Sequence, residues 1–176
     1  MKKFFYAVML TIFVPGLAFG QLGQSYVLSN QAEVNDFNPA KSFINNLTIE
    51  GADIDYIASI AQKIDVVNGD IVINNTSILT TWEFFDQIEF YGSVTLSNNS
   101  VLNNPNGFMN TQKIWGDLVL DNLPAMPLFW PTDAFTNIDT ICGDFIVKDC
   151  PQLTDAGQGF KSLVYVGGDF EINSCG

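Results

Sequence analysis

The nine residues "VNGDIVINN" at positions 67–75 return, with variation, down the rest of the chain. Residues 91–99 read "YGSVTLSNN", 115–122 "WGDLVLDN", 142–150 "CGDFIVKDC" and 167–175 "GGDFEINSC". Aligned on Gly69, Gly92, Gly116, Gly143 and Gly168, the copies stand 23, 24, 27 and 25 residues apart. A degenerate copy, "NNLTIEG", lies 24 residues upstream with Asn45 in the glycine position. Intervals in the ~20–29-residue range are those of leucine-rich-type solenoids, in which each repeat is one coil. One coil cannot bury its apolar face alone, so stacking of coils must supply the core.

The columns of the alignment carry the physical detail. Two and four residues past the glycine stand Leu47/Ile49, Ile71/Ile73, Val94/Leu96, Leu118/Leu120, Phe145/Val147 and Phe170/Ile172, all apolar. Period-two alternation marks a strand with one buried face. The glycine suits either a positive φ or a close approach that a side chain would block. Asp70, Asp117, Asp144 and Asp169 follow it, as Asx residues do when they bond the backbone of a tight turn. Calcium is the competing reading of that column, but Ser93 interrupts it and the nine-residue calcium repeat is missing.

Asn75, Asn98, Asn122, Asp149 and Ser174, six past the glycine, have inward parity and are expected to form a polar ladder satisfying backbone groups. Ile54, Ile78, Val101 and Leu153 are expected to reopen the core beyond it. The segments "DYIASIAQKI" and "TTWEFFDQI" have helix-like apolar spacing and predict helical returns. Ile64/Val67, Ile88/Phe90, Ile138/Ile141 and Leu163/Val166 predict a second, shorter row of strand ahead of each glycine. Residues 21–41 do not fit the register and are expected to cap the first coil.

The phrases "IDVVNGDIVINN", "IDTICGDFIVKDC" and "LVYVGGDFEINSC" resemble the receptor L domain, over a span from about Phe43 to Cys175. That resemblance implies a mainly β fold: a right-handed β-solenoid of leucine-rich-like type, here of about six coils with short helical returns. Such domains occur in receptor ectodomains and in exported microbial surface proteins. The cysteine-rich neighbours of the animal receptors are absent, so a growth-factor role does not transfer.

The N-terminus, "MKKFFYAVMLTIFVPGLAFGQ", has two lysines, an eleven-residue apolar stretch, a Pro-Gly break and a small-x-small site before Gln21. It reads as a secretory signal peptide over residues 1–20, which places the chain outside the cell or on its surface. No other stretch is long and apolar enough to span a bilayer. The full chain carries a net charge of −12; losing residues 1–20 removes two lysines and no acid, leaving 5 Lys against 19 Asp+Glu, or −14.

There is no Arg and no His. Nucleic acid is thereby a poor partner, because phosphate binding needs clustered cations. Nucleophile systems built on His are excluded. Glu83, Asp86 and Glu89, three apart, have the form of a carboxylate constellation but read better as the solvated face of a helix. No catalysis, metal or cofactor is expected.

What remains for function is the outward column of the strand row: Thr48, Val72, Thr95, Val119 and Ile146, with Glu171 beyond. Such a flat, dry ladder suits docking of a protein or glycan ligand. Adhesion or recognition is the expected role, and a carbohydrate-binding or enzyme-associated module is the alternative. Sequons stand at Asn46, Asn74, Asn75 and Asn98, and three of the four fall in or beside the Asn ladder. Cys150 and Cys175 occupy one column a coil apart, at ~4.8 Å strand spacing, and are expected to form a disulfide that leaves Cys142 unpaired. The last copy ends directly after its strand, which predicts further repeats or domains C-terminal to residue 176.

Overall fold

The computed structural model describes residues 23–40, 42–82, 88–103, 107–108, 110–126, 135–153 and 160–176. The signal segment, and Glu83 and Asp86 of the carboxylate run, lie outside them.

The fold is a mainly β, parallel-sheet solenoid of about five turns. Its long wall is a seven-stranded sheet made of β1 (Tyr26–Leu28), β3 (Leu47–Glu50), β5 (Ile71–Asn74), β7 (Val94–Ser97), β9 (Leu118–Asp121), β11 (Phe145–Lys148) and β13 (Phe170–Asn173). The short wall has two-residue strands: β2 (Phe43–Ile44), β4 (Val66–Val67), β6 (Glu89–Phe90), β8 (Lys113–Ile114), β10 (Thr140–Ile141) and β12 (Tyr165–Val166). These fall into two separate three-stranded sheets, β2-β4-β6 and β8-β10-β12. The register of the long wall is that of the repeat. Leu47 pairs with Ile71, Ile71 with Val94, Val94 with Leu118, Leu118 with Phe145 and Phe145 with Phe170. From β3 to β11 both apolar columns of the repeat are buried.

The register also runs further upstream than the repeat suggests. Tyr26–Leu28 is the first strand and pairs in step with Leu47–Ile49. The covering element is α1 (Gln31–Asp36), capped by the Asn30 side chain accepting from Glu33 N–H, with Val34 and Phe37 buried and Phe37 edge-on to Tyr26 at 5.1 Å. Helical returns are found only in part. Residues 58–62 make a 3-10 helix inside "DYIASIAQKI", and most of "TTWEFFDQI" lies outside the described residues.

Two columns depart from expectation for one reason. Asn75, Asn98, Asn122, Asp149 and Ser174 point outward, exposed, and each holds a left-handed φ of 51–55°. Asn and Asp tolerate that conformation best among residues with a side chain. The left-handed residue breaks the strand's parity, so the next position turns in: Thr76, Asn99, Leu123 and Cys150 are buried. Downstream the core column shifts to ten past the glycine. Leu79, Leu102, Met126 and Leu153 fill it, whereas Ile78 is 49% exposed and Val101 half-buried. Ile54 is buried as expected. The inward polar pair, Thr76 and Asn99, is satisfied: Asn99 Oδ1 accepts from Thr76 N–H at 3.1 Å and from its hydroxyl at 2.8 Å, and Asn99 Nδ2 donates to Ile73 O at 2.9 Å.

The repeat glycines are required by close approach rather than by positive φ. A Cβ on Gly116 would collide with Ser93 Oγ and the Gly92 backbone, and one on Gly143 with the Asp117 carboxylate. The Asp residues therefore act between coils instead of within their own turn. Asn46, Asp70, Ser93, Asp117 and Asp144 each accept, through a side-chain oxygen, from the backbone N–H of the same column one coil on, at 2.8–3.0 Å. Ser93 is thus a working member of the column and not an interruption.

An aromatic spine supports the later coils. Trp82, Phe108, Phe135 and Phe160 follow one another at centroid distances of 5.3, 5.4 and 4.9 Å, and Phe145 packs on Phe160 at 4.6 Å. The signal for it lies in spacing: Phe108, Phe135 and Phe160 are 27 and 25 residues apart, the same steps as Gly116, Gly143 and Gly168.

Candidate functional site

Strand pairing puts Thr48, Val72, Thr95, Val119 and Ile146 side by side as consecutive Cα partners, continued by Val27 and Glu171. Each of the five is half-buried, less open than free ladder positions, because its neighbours above and below shade it. Val27 at the end of the row is 57% exposed. The stripe is flanked by a polar column, Glu50, Asn74, Ser97, Asp121 and Lys148, in which Lys148 pairs with Asp121 at 3.1 Å. It offers a β-branched surface edged by that polar column.

The expected Cys150–Cys175 disulfide is absent: Cys142, Cys150 and Cys175 are all free thiols. Cys150 and Cys175 lie just past the ends of β11 and β13, each directly after a left-handed residue, Asp149 or Ser174. Each sulfur instead faces backbone carbonyls, Cys150 Sγ standing 3.2 Å from Lys148 O and Cys175 Sγ 3.3 Å from Asn173 O. Burial pushes the Cys150 thiol up to about 11, so it stays protonated at neutral pH.

The short wall supplies a second feature. Between β6 and β8, which do not pair, lies a cleft of about 310 Å³. Glu89, Tyr91, Lys113 and Trp115 line it, together with Asn110, Thr111 and Gln112. Strand parity explains the first four: Phe90 and Ile114 point into the core, which turns Glu89, Tyr91, Lys113 and Trp115 outward. Tyr91 is 46% and Trp115 49% exposed, with ring centroids 6.0 Å apart at 43°. The Tyr91 hydroxyl donates to Glu89 Oε2 at 2.9 Å, and that bonded carboxylate raises the Tyr91 pKa above its ordinary value. Lys113 Nζ lies 3.5 Å from the centre of the Trp115 ring.

Periodicity alone does not find the cleft, although a signal for it is in the sequence. Tyr91 and Trp115 both stand immediately before the repeat glycine, and Glu89 and Lys113 three before it. Of the acidic run, Glu89 lies on a strand and not on a helix face. Among the described residues, no three or more His, Cys, Asp or Glu gather as metal ligands, and no helix is long and apolar enough to cross a membrane.

No curated protein and no solved structure matches the chain. A family model does, over residues 25–175, from just before β1 to the last cysteine, and so over the whole solenoid. Its description is not that of the receptor L domain, whose likeness the repeat carries. By this match the chain belongs to the family described as the B subunit of the discoidin-inducing complex.

Proposed function

We propose that the chain is an exported, non-catalytic recognition subunit, which uses the long wall of the solenoid to join a partner chain. The observation that carries this reading is the unbroken, in-register stripe of half-buried β-branched residues from Thr48 to Ile146. A dry row of this kind can be covered by a partner with little desolvation of polar groups. The family description, a subunit of a complex, supports the same role. Export rests on the leader of residues 1–20, and the leucine-rich, receptor-L-like character of the coils rests on the repeated G-D phrase.

The test is expression of the full chain in a secreting host of the family. The chain recovered from the medium is expected to begin at Gln21 by mass spectrometry and to sediment as part of a larger, stoichiometric species. Substituting Val72→Lys and Val119→Lys together is expected to release a folded monomer. Retention in the cell with residues 1–20 intact would overturn export. Persistence of the larger species in the double variant would overturn the stripe as its contact surface.

A further inference from the structure

We propose that the cleft between β6 and β8 is a saccharide-binding site, with Tyr91 and Trp115 as the platform on which a neutral pyranose ring lies. The proposal deepens the recognition reading above and gives it a ligand class on a different wall.

The chemistry of the lining narrows the ligand. Two rings stand about half exposed on adjacent coils, 6.0 Å apart, on the outer surface of a strongly acidic chain. They are flanked by Glu89 and Lys113, and the other apolar lining residues, Ile88 and Phe90, are buried beneath them, so the exposed apolar patch is too small for a protein-interface core. A pyranose has the matching character: an apolar C–H face to lie on an aromatic ring, and an edge of hydroxyls that both donate and accept. The rim meets both needs. The Glu89 carboxylate accepts, the Lys113 ammonium donates, and the Thr111 hydroxyl and Gln112 amide can do either.

Charge then decides between neutral and ionic ligands. Glu89 and Lys113 cancel locally, so the cleft has no net attraction for an ion. An anion meets the field of a chain at −12. A cation, such as a partner's lysine, would be repelled by Lys113, whose ammonium stands 3.5 Å from the centre of the Trp115 ring. A neutral pyranose meets no such repulsion and takes that face as the Lys113 side chain swings aside to donate to its hydroxyls. Size agrees: about 310 Å³ lies at the lower end of the ~300–1,000 Å³ typical of small-molecule sites, room for one or two rings.

The structural cause of the site is the missing strand pair. Elsewhere on the short wall the strands are joined by backbone hydrogen bonds, as β4 is to β6 and β8 to β10. Where β6 and β8 part, the return through residues 110–112 lines the gap with polar side chains, leaving the aromatic pair beside it.

The experiment is calorimetric titration of the full chain with four probes: cellotriose, mannotriose, β-1,4-galactotriose and triacetylchitotriose. At least one is expected to bind saturably, with Kd on the order of 0.1–1 mM for so open a site. Trp115→Ala and Tyr91→Ala are each expected to weaken it roughly tenfold or more, with circular dichroism unchanged and the melting midpoint lowered by no more than about 4 °C. The Val72→Lys, Val119→Lys variant should bind the sugar as the wild type does, so failure of the stripe and failure of the cleft are separable. No saturable heat with any of the four probes would overturn the proposal, as would sugar binding indifferent to both aromatic substitutions. Tighter binding of a lysine heptapeptide than of any sugar, abolished by Glu89→Gln, would overturn it in favour of a cationic protein ligand.

Discussion

The two walls of this solenoid are written by the same repeat, yet the long wall pairs without interruption through seven strands and the short wall breaks after three. Length is part of the difference. A four-residue strand is held by ladder bonds along its whole length, and each long-wall coil adds the side-chain bond of its Asp, Asn or Ser to the next. A two-residue strand has few such bonds to lose, so parting β6 from β8 costs little backbone pairing. The inward side chains of both walls are buried, Leu118 and Phe145 on one and Val67 and Ile114 on the other, and it is the outward faces that differ. The long-wall stripe is half-buried and aliphatic, whereas Tyr91 and Trp115, beside the break in the short wall, stand about half exposed. Backbone pairing is continuous on one wall, and the break in the other is where the cleft lies.

The comparison predicts unequal losses for equal deletions. Phe145→Ala removes a buried ring that packs on Phe160 of the aromatic spine and edge-on to Phe170, and is expected to cost about 3–5 kcal/mol. Trp115→Ala deletes a larger ring and is expected to cost less than about 1 kcal/mol, because half of that ring already faces water. Urea unfolding of both variants checks this. Equal losses would break the division between the walls.

A smaller effect sharpens it. Asp117 accepts from Asp144 N–H at 2.8 Å in the partly buried corner between coils. Replacing Asp117 by Ala leaves that donor without its acceptor and is expected to cost about 1–2 kcal/mol, with Asp117→Asn restoring most of it. Asp121 is the comparison, four residues on, where its carboxylate pairs with Lys148 on the surface at 3.1 Å. Asp121→Ala is expected to cost no more than about 1 kcal/mol, and less in high salt. Thermal melts at two salt concentrations separate the two acids. If Asp117 proved as dispensable as Asp121, the inter-coil ladder would be ornamental.

How much of this is legible in the sequence depends on the range of the cause. The strand register is legible because it is dictated by alternation inside each copy and by spacing between copies, both visible along the chain. The glycine column is legible as a constraint, but its choice between torsion and close approach is not. That choice rests on where Ser93 and Asp117 sit one coil earlier. The outward turn at Asn75, Asn98 and Asn122 escapes the alternation, because parity cannot be carried through a residue whose left-handed torsion resets it. Asn-Asn and Asn-Thr at a strand end contain the hint, since Asn favours that torsion. The free thiols at Cys150 and Cys175 are not legible either, because a shared column past the strand end does not fix where each sulfur turns. The cleft is invisible for a different reason: an unpaired strand leaves no mark on the apolar pattern, and only the doubled aromatic-glycine, Tyr91-Gly92 and Trp115-Gly116, points to it.

The smallest predicted effect probes the cleft without touching the fold. Tyr91 donates to Glu89, and the carboxylate both stabilises the neutral phenol and repels the phenolate, so Tyr91 ionises above the usual tyrosine range of ~10. Glu89→Gln removes the negative charge and leaves a weaker acceptor, so the ionisation is expected to move down toward that ordinary value. Phenolate absorbance, taken as the difference between each protein and its Tyr91→Phe counterpart, isolates this residue from the other tyrosines. The melting midpoint at pH 7 should not move, because Tyr91 is neutral there in both folded and unfolded chains. An unchanged titration would show that the Tyr91–Glu89 bond does not persist in solution, and the acceptor on the cleft rim would then be unfixed. A fall in the ionisation pH together with a drop in the midpoint would show the short wall bearing stability that the broken sheet says it does not.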